Sequence, residues 1–355
     1  MTESFDRFSR RHEDLVANFS HFGEVHCPQV EGWIYQMLCK GVKGDKTLLE
    51  IAARAPATQP PPNLLFAAVH YLLLGGERHP LRQWYPALAD GDPRPPDSSF
   101  PPFRDFCLRH RDRLEGLIET RLTQTNVIQR CSALLPGFAR VLEAAEQNAL
   151  SLIEIGPSAG LNLQWDRFFY CYDDGTTWGD SNSRVRVPCE VRGETGLPRL
   201  PKKISVDWRR GIDLHPVDVT DPDEVLWLRA LVWPDHEGRQ EKLTRAIEIG
   251  QKYPPRIVCG DAAASLGKLI AKAPPESTLC IYGTHTLYQF PHEALLATLK
   301  SMQEASSARP IHFLSIEGTG SDYSELHWTI YENAQRSTRL LARCSSHGRW
   351  IEWLD

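Results

Sequence analysis

The sequence predicts an α/β protein, a mostly parallel sheet with an antiparallel edge, preceded by an all-helical domain. Three observations carry that expectation. Apolar residues recur at helical spacing through roughly the first 145 residues. Beyond residue 150 short apolar runs alternate with helical stretches, the pattern of strands linked by helices. The first of those runs ends in an acid and a glycine turn, which suits a buried strand handing over to a helix.

The helical part is justified first. Phe5, Phe8, Leu15 and Phe19 fall at helical spacing among charges, as do Leu64, Leu65, Ala68, Leu72 and Leu73. Pro60-Pro61-Pro62 stiffens the approach to the second group, with Asn63 positioned as its N-cap and Gly75-Gly76 as its stop. Residues 91–102, rich in proline and polar side chains, read as a loop. A long helical region then runs from 103 to about 147, with a break expected near Pro136-Gly137. The domain boundaries drawn from this are 1–148 for the helices and 149–355 for the sheet.

The strand-like runs are 152–155, 212–219, 256–259, 278–282 and 311–316. Two more, 326–330 and 350–353, follow close together and form the antiparallel edge. Between about 172 and 204 lies a surface insertion rich in glycine, proline and charge. Within it Val185-Arg186-Val187 and Glu190-Val191-Arg192 alternate like the arms of a small hairpin.

Composition narrows the function classes. A chain of 355 residues is long for one compact core and suits a main domain with a large appendage. The net charge of −5 and the absence of a dense Lys/Arg block argue against a nucleic-acid partner. No apolar run is long enough for a bilayer, and Met1-Thr2-Glu3-Ser4-Phe5-Asp6 lacks a secretory pattern, so no membrane partner and a cytoplasmic location are expected. Nine scattered cysteines without a Cys-x-x-Cys pair read as reduced thiols, neither a disulfide framework nor a metal site.

The candidate site begins at Ser151-Leu152-Ile153-Glu154-Ile155-Gly156-Pro157-Ser158-Ala159-Gly160-Leu161-Asn162. Gly156 and Gly160 allow a sharp turn and a close approach to a ligand, with Ser158 and Asn162 on the same turn. In open α/β sheets ligands bind outside the carboxyl ends of the strands. Glu154 closes the first strand. Asp213, followed by Leu214, closes the second and can accept from ribose hydroxyls. Asp261 closes the third, where the neighbouring Ala262 amide can read an adenine edge. Taken singly, each acid also fits a helix cap or a solvated loop. Three in register with a glycine turn argue for a nucleoside.

Through Glu154-x-Gly156-x-x-x-Gly160, Asp213, Gly260-Asp261-Ala262 and the antiparallel edge, residues 150–355 resemble the Rossmann-like class I S-adenosylmethionine-dependent methyltransferases. Ser158 stands where a middle glycine is common. With that variant turn, the segments Arg210-Gly211-Ile212-Asp213-Leu214-His215-Pro216 and Leu226-Trp227-Leu228-Arg229 make the chain similar to a bacterial family, domain of unknown function 2332. That likeness spans nearly the whole chain, Gln124-Thr125-Asn126 included. The resemblance implies S-adenosylmethionine as the cofactor. A nicotinamide dinucleotide is the competing ligand, but Pro157-Ser158 interrupts its glycine spacing. Glu154 would also repel a pyrophosphate, whereas it suits a sulfonium cation.

Residues near the sulfonium are drawn from three segments. In Trp165-Asp166-Arg167-Phe168-Phe169-Tyr170 the phenylalanines read as core and Tyr170 as a pocket wall. Tyr282-Gly283-Thr284-His285-Thr286-Leu287-Tyr288 follows the fourth strand and offers His285 as a base, with Tyr282 and Tyr288 beside it, although a structural histidine fits there too. Asn126 and Arg130, on the helix leading in, suit the ammonium and carboxylate of the methionine part; a solvated polar face fits them equally. The helical domain is expected to act as a lid, which implies a small-molecule substrate in an enclosed site. Three functions remain open: methyl transfer to a small molecule, cyclisation of the cofactor to azetidine-2-carboxylate with release of methylthioadenosine, and a non-catalytic sensor. A homodimer is compatible with each.

Overall fold

The computed structural model describes residues 11–355, so Phe5 and Phe8 lie outside the described residues. The chain forms two compact units. One takes the chain as far as Thr125 and adds Asp221–Glu241; the other comprises Asn126–Thr220 and Lys242–Asp355.

The first unit is helical, as its spacing predicts. Its helices are α1 (His12–His21), α2 (Cys27–Gln29), α3 (Trp33–Val42), α4 (Lys46–Ala52), α5 (Pro61–Leu74), α6 (Phe100–Arg109) and α7 (Arg111–Thr120). Helix α5 is buried almost all round, with Leu64, Leu65, Phe66, Ala68, Val69 and Leu73 in the core of the unit. It starts at Pro61, so Asn63 lies in the first turn and is not the cap; proline at the first helical position needs no N–H partner. Gly75 and Gly76 end it, as the sequence suggests. Asp45 caps α4 through the amides of Thr47 and Leu48. The proline-rich loop ends earlier than expected, because Pro101 and Pro102 fall inside the first turn of α6.

The expected long helix from 103 onward is three pieces. After α7, residues 121–127 form no regular element and Ile128–Arg130 form a single tight turn. Only then does α8 (Cys131–Ala144) begin, running through Pro136 without a break. Helix α8 belongs to the second unit, so the units divide at 125/126 and not at 148/149. Packing decides this. A Cβ on Gly137 would lie 3.2 Å from Leu314 and 3.3 Å from Leu326, so α8 lies close against the sheet.

Among the described residues the sheet contains eleven strands: β1 (Ala149–Ile155), β2 (Phe169–Tyr172), β3 (Thr177–Gly179), β4 (Arg186–Arg192), β5 (Ser205–Asp213), β6 (Ile257–Cys259), β7 (Thr278–Thr284), β8 (Ile311–Gly318), β9 (Ser324–Glu332), β10 (Gln335–Cys344) and β11 (Trp350–Trp353). Their order is β3-β2-β4-β11-β10-β9-β8-β7-β1-β5-β6. From β6 to β8 every pair is parallel, and β8 to β11 form an antiparallel meander. The chain moves outward from β1 to β5 and β6, then returns to the other side of β1 as β7, so the order reverses between β1 and β7.

Helices α9 (Pro222–Ala230), in the helical unit, and α10 (Glu237–Lys252) precede β6; α11 (Ala262–Ile270) and α12 (His292–Ala305) follow β6 and β7. Ile153, Ile155, Ile212, Leu279, Ile281 and Phe313 form a core with Leu266, Leu269 and Met302 of α11 and α12.

Three local expectations are corrected. The glycine turn leads into two short 3-10 turns within Leu161–Arg167, separated by a kink at Gln164, and not into an α-helix; Trp165 and Phe168 beside them are drawn fully into the core. The hairpin is β2 with β3, while Arg186-Val187 and Glu190-Val191-Arg192 lie along the single strand β4, which Val185 just precedes. Strand β10 was not legible, since its first half, Gln335-Arg336-Ser337-Thr338-Arg339, is exposed and polar.

Candidate functional site

The carboxyl edge of β1 and β5 is built around the glycine turn. Gly156, Ser158 and Gly160 all have positive φ, at 67°, 55° and 66°. A Cβ on Gly156 would lie 2.3 Å from Thr286 Cγ2, and one on Gly160 would lie 2.7 Å from Pro255. What closes on these glycines is therefore protein. The turn is tied from outside as well: the Gly156 amide donates to the Ile212 carbonyl at 2.9 Å.

Asp213 does close its strand, and its carboxylate holds the turn. Oδ2 accepts from the Ser158 amide at 2.8 Å and Oδ1 from the His215 amide at 2.9 Å. Asn126 has a similar task. Its Nδ2 donates to the Pro157 carbonyl at 2.8 Å and its Oδ1 accepts from the Leu161 amide at 3.0 Å. Asn126 thus clamps the turn from the irregular segment 121–127, where a helix had been expected. Asp261 caps α11 through the Ala263 amide, the simpler of its two readings. Among the described residues the Ala262 amide has no acceptor. Leu214, 59% exposed, and Val258, 39% exposed, leave apolar surface beside Asp213.

Beneath the turn lies Glu154, buried at 2% exposure. Tyr282 donates its hydroxyl to Oε2 at 3.1 Å. Burial pushes the Glu154 carboxyl up to about 8, so near neutrality it is mostly protonated. Asn162, also buried, accepts from the Cys131 thiol at 3.5 Å. Tyr170 is a core residue and not a pocket wall: it is fully buried, and its hydroxyl already donates to the Trp165 carbonyl at 2.8 Å. Its ring meets Trp178 edge-on within an aromatic stack that includes Trp165 and Phe138.

A second group lies at the ends of β7 and β8. Arg130 donates from Nε to the Ser346 carbonyl at 2.9 Å and from Nη1 to the Thr284 carbonyl at 3.4 Å. Burial pulls its guanidinium down to about 10. His285 holds a left-handed backbone at φ 54° and meets Ser324 Oγ through Nε2 at 3.1 Å. Burial, and then the charge of Arg130, push the imidazole down to about 3. A base that weak takes few protons near neutrality, which argues against His285 as the general base. Tyr288 is 57% exposed and its ring lies edge-on to His285.

Glu317, at the end of β8, was missed by sequence reasoning. Its Oε1 accepts from the amides of Thr286 and Leu287 at 3.0 and 2.9 Å, while Oε2 is buried without a partner among the described residues. The signal was present: Ile316-Glu317-Gly318 is an apolar run closed by an acid and a glycine, as at Glu154.

Among the described residues no group of three or more His, Cys, Asp or Glu side chains is arranged to hold a metal, and no helix is long and apolar enough to cross a membrane. All nine cysteines are unpaired. The fold is thus that of a mixed α/β protein with its polar side chains gathered at one sheet edge. The chain belongs to the family domain of unknown function 2332, described as an uncharacterised protein conserved in bacteria, whose sequence model matches residues 16–353. No curated protein and no solved structure matches it.

Proposed function

We propose that this chain binds S-adenosylmethionine at the carboxyl edge of β1, β5 and β6 and transfers its methyl group to a small molecule. One observation carries the reading. The parallel strands run β6-β5-β1-β7-β8, the order of Rossmann-like sheets, with an acid at the end of β1 beside the point where that order reverses and further acids at or just past the ends of β5 and β6. Glu154 is the penultimate residue of β1, Asp213 the last of β5, and Asp261 follows β6 by two.

The residues present fit an adenosyl group. Leu214 and Val258 offer an apolar face, the Ala262 amide is a donor without a protein acceptor among the described residues, and Asp213 would have to share the carboxylate that holds the turn to accept from ribose hydroxyls. A phosphate-bearing nucleotide fits less well, because a 3-10 segment and not a full helix follows the turn. When bound, the cofactor supplies an electrophilic methyl group on a sulfonium. The chain's own contribution is to position. Asp213 and Asn126 fix the turn, and Tyr282 fixes Glu154, whose carboxyl gives up its proton when a cation comes near.

Calorimetry on the full chain tests this. S-adenosylmethionine and S-adenosylhomocysteine should each give saturable heat, with net proton release for the sulfonium form below pH 8. No heat with either compound, alongside binding of NADH, would overturn the cofactor. S-adenosylhomocysteine formed only when an acceptor is added supports methyl transfer; methylthioadenosine formed from the cofactor alone would replace it with cleavage or cyclisation.

A further inference from the structure

We infer that Arg130 and Glu317 form a subsite for a small zwitterion, an α-amino acid or close analogue, at the ends of β7 and β8. As the seat of a methyl acceptor this rests on the reading above; as a binding site it stands independently.

Glu317 has two oxygens in different situations. Oε1 is committed to the loop that follows β7, accepting the Thr286 and Leu287 amides. Among the described residues Oε2 is shut away from water and makes no hydrogen bond, although the Tyr288 amide, with those of Thr286 and Leu287, also favours the ionised carboxylate. Buried carboxylate oxygens are rarely left so, since desolvation without compensation is unfavourable. Something carrying an N–H or O–H donor would relieve it.

Arg130 is the complementary half. Nε and Nη1 donate to the Ser346 and Thr284 carbonyls, and among the described residues Nη2 has no acceptor. Arg130 and Glu317 influence each other electrostatically, yet no ion pair joins them. Opposite charges within reach of each other normally pair when buried. Here each is held back by backbone contacts of its own, with one atom of each uncommitted. A molecule bearing a carboxylate and an ammonium a few bonds apart would satisfy both, the carboxylate at the guanidinium and the ammonium at Oε2.

The surroundings keep this arrangement in place. His285 Nε2 meets Ser324 Oγ, which meets Ser346 Oγ at 3.0 Å, and the Ser346 carbonyl accepts from Arg130. The strained left-handed backbone of His285 sits at the head of that chain. Because His285 stays neutral near physiological pH, it adds no second positive charge to compete with an incoming ammonium.

The test uses the full chain, thermal shift and calorimetry. The probes are the free proteinogenic α-amino acids, with their carboxamides and N-acetyl derivatives, each with and without S-adenosylhomocysteine. At least one free amino acid should bind saturably, and its carboxamide and N-acetyl forms should bind at least tenfold more weakly. Glu317→Gln keeps the capping oxygen and replaces Oε2 with an amide, so it should lose tenfold or more in amino-acid affinity with an unchanged Tm. Arg130→Gln should lose affinity for the same compound; if it fails to fold, Glu317→Gln carries the test alone. No amino-acid binding under either condition would overturn the inference. So would wild-type affinity in Glu317→Gln, the result expected if ordered water fills the gap. A Glu317→Gln variant that weakens S-adenosylhomocysteine but not methylthioadenosine would also overturn it, by assigning the pair to the cofactor's amino-acid end. Amino-acid binding without any adenosyl binding would sink the proposed function and leave the subsite standing.

Discussion

The two ends of this sheet edge use the same kinds of side chain in opposite ways. At the glycine turn, Asp213 and Asn126 direct their polar atoms at backbone amides and carbonyls of the turn itself. At the ends of β7 and β8, Arg130 and Glu317 each keep one polar atom without a hydrogen-bond partner among the described residues. The first region is internally satisfied and rigid; the second is incomplete. Residue type alone does not separate a structural clamp from a binding group. What separates them is where the remaining hydrogen bonds go.

The largest expected effect probes the satisfied side. Gly156→Val places a branched side chain at φ 67° and against Thr286, and should destabilise the fold by more than about 3 kcal/mol in urea unfolding. A loss below about 1 kcal/mol would break the view of the turn as a packed structural element. In a Thr286→Ala background, Gly156→Ala should recover the steric part but retain roughly 1 kcal/mol from the left-handed backbone.

Glu154→Gln sharpens the comparison from beneath the turn. The Glu154 carboxyl ionises near its ordinary value in the unfolded chain and near 8 in the folded one. The native state therefore holds the proton more tightly. Its contribution is fully present below about 4.5 and is lost as pH rises to about 8. The variant should gain on the wild type across that window, by a few kcal/mol at the upper end, and level off beyond it. Unfolding curves that run parallel from pH 5 to 9 would remove Glu154 as a buried acid.

Asp213→Ala follows. It leaves the Ser158 and His215 amides without their acceptor and should cost about 1–3 kcal/mol of stability. A change of cofactor affinity without any change in stability would reverse its assignment and make it a ligand group first. Smallest of all should be the stability effect of Glu317→Gln, within about 0.5 kcal/mol, since the oxygen that holds the loop is retained. A larger loss would show that both oxygens serve the fold, and the contrast between the two ends would vanish.

Much of this was legible from residue order. Glu154 and Asp213 were legible because each lies within one residue of its strand end, just before the chain turns away from the sheet. Glu317 carries a similar signal, an acid and a glycine closing the apolar run that ends at Ile316. Tyr170 and Asn126 were legible as residues but not in their roles. Tyr170 sits five residues past Trp165, and only packing decided that its hydroxyl would turn back to that carbonyl. The broken helix at 121–127 hid in a polar stretch whose local propensity favours neither state.

By itself the sequence determined the class: helices first, then a parallel sheet with acids at its carboxyl ends. Periodicity and burial are local consequences of side-chain spacing. Tertiary structure decided which strands became neighbours, placed β4 beside β11, and brought Arg130 within electrostatic reach of Glu317 across nearly two hundred residues of chain. Those pairings depend on how apolar faces stack in three dimensions, and no spacing along the chain encodes which polar atoms will be left unmatched once they do.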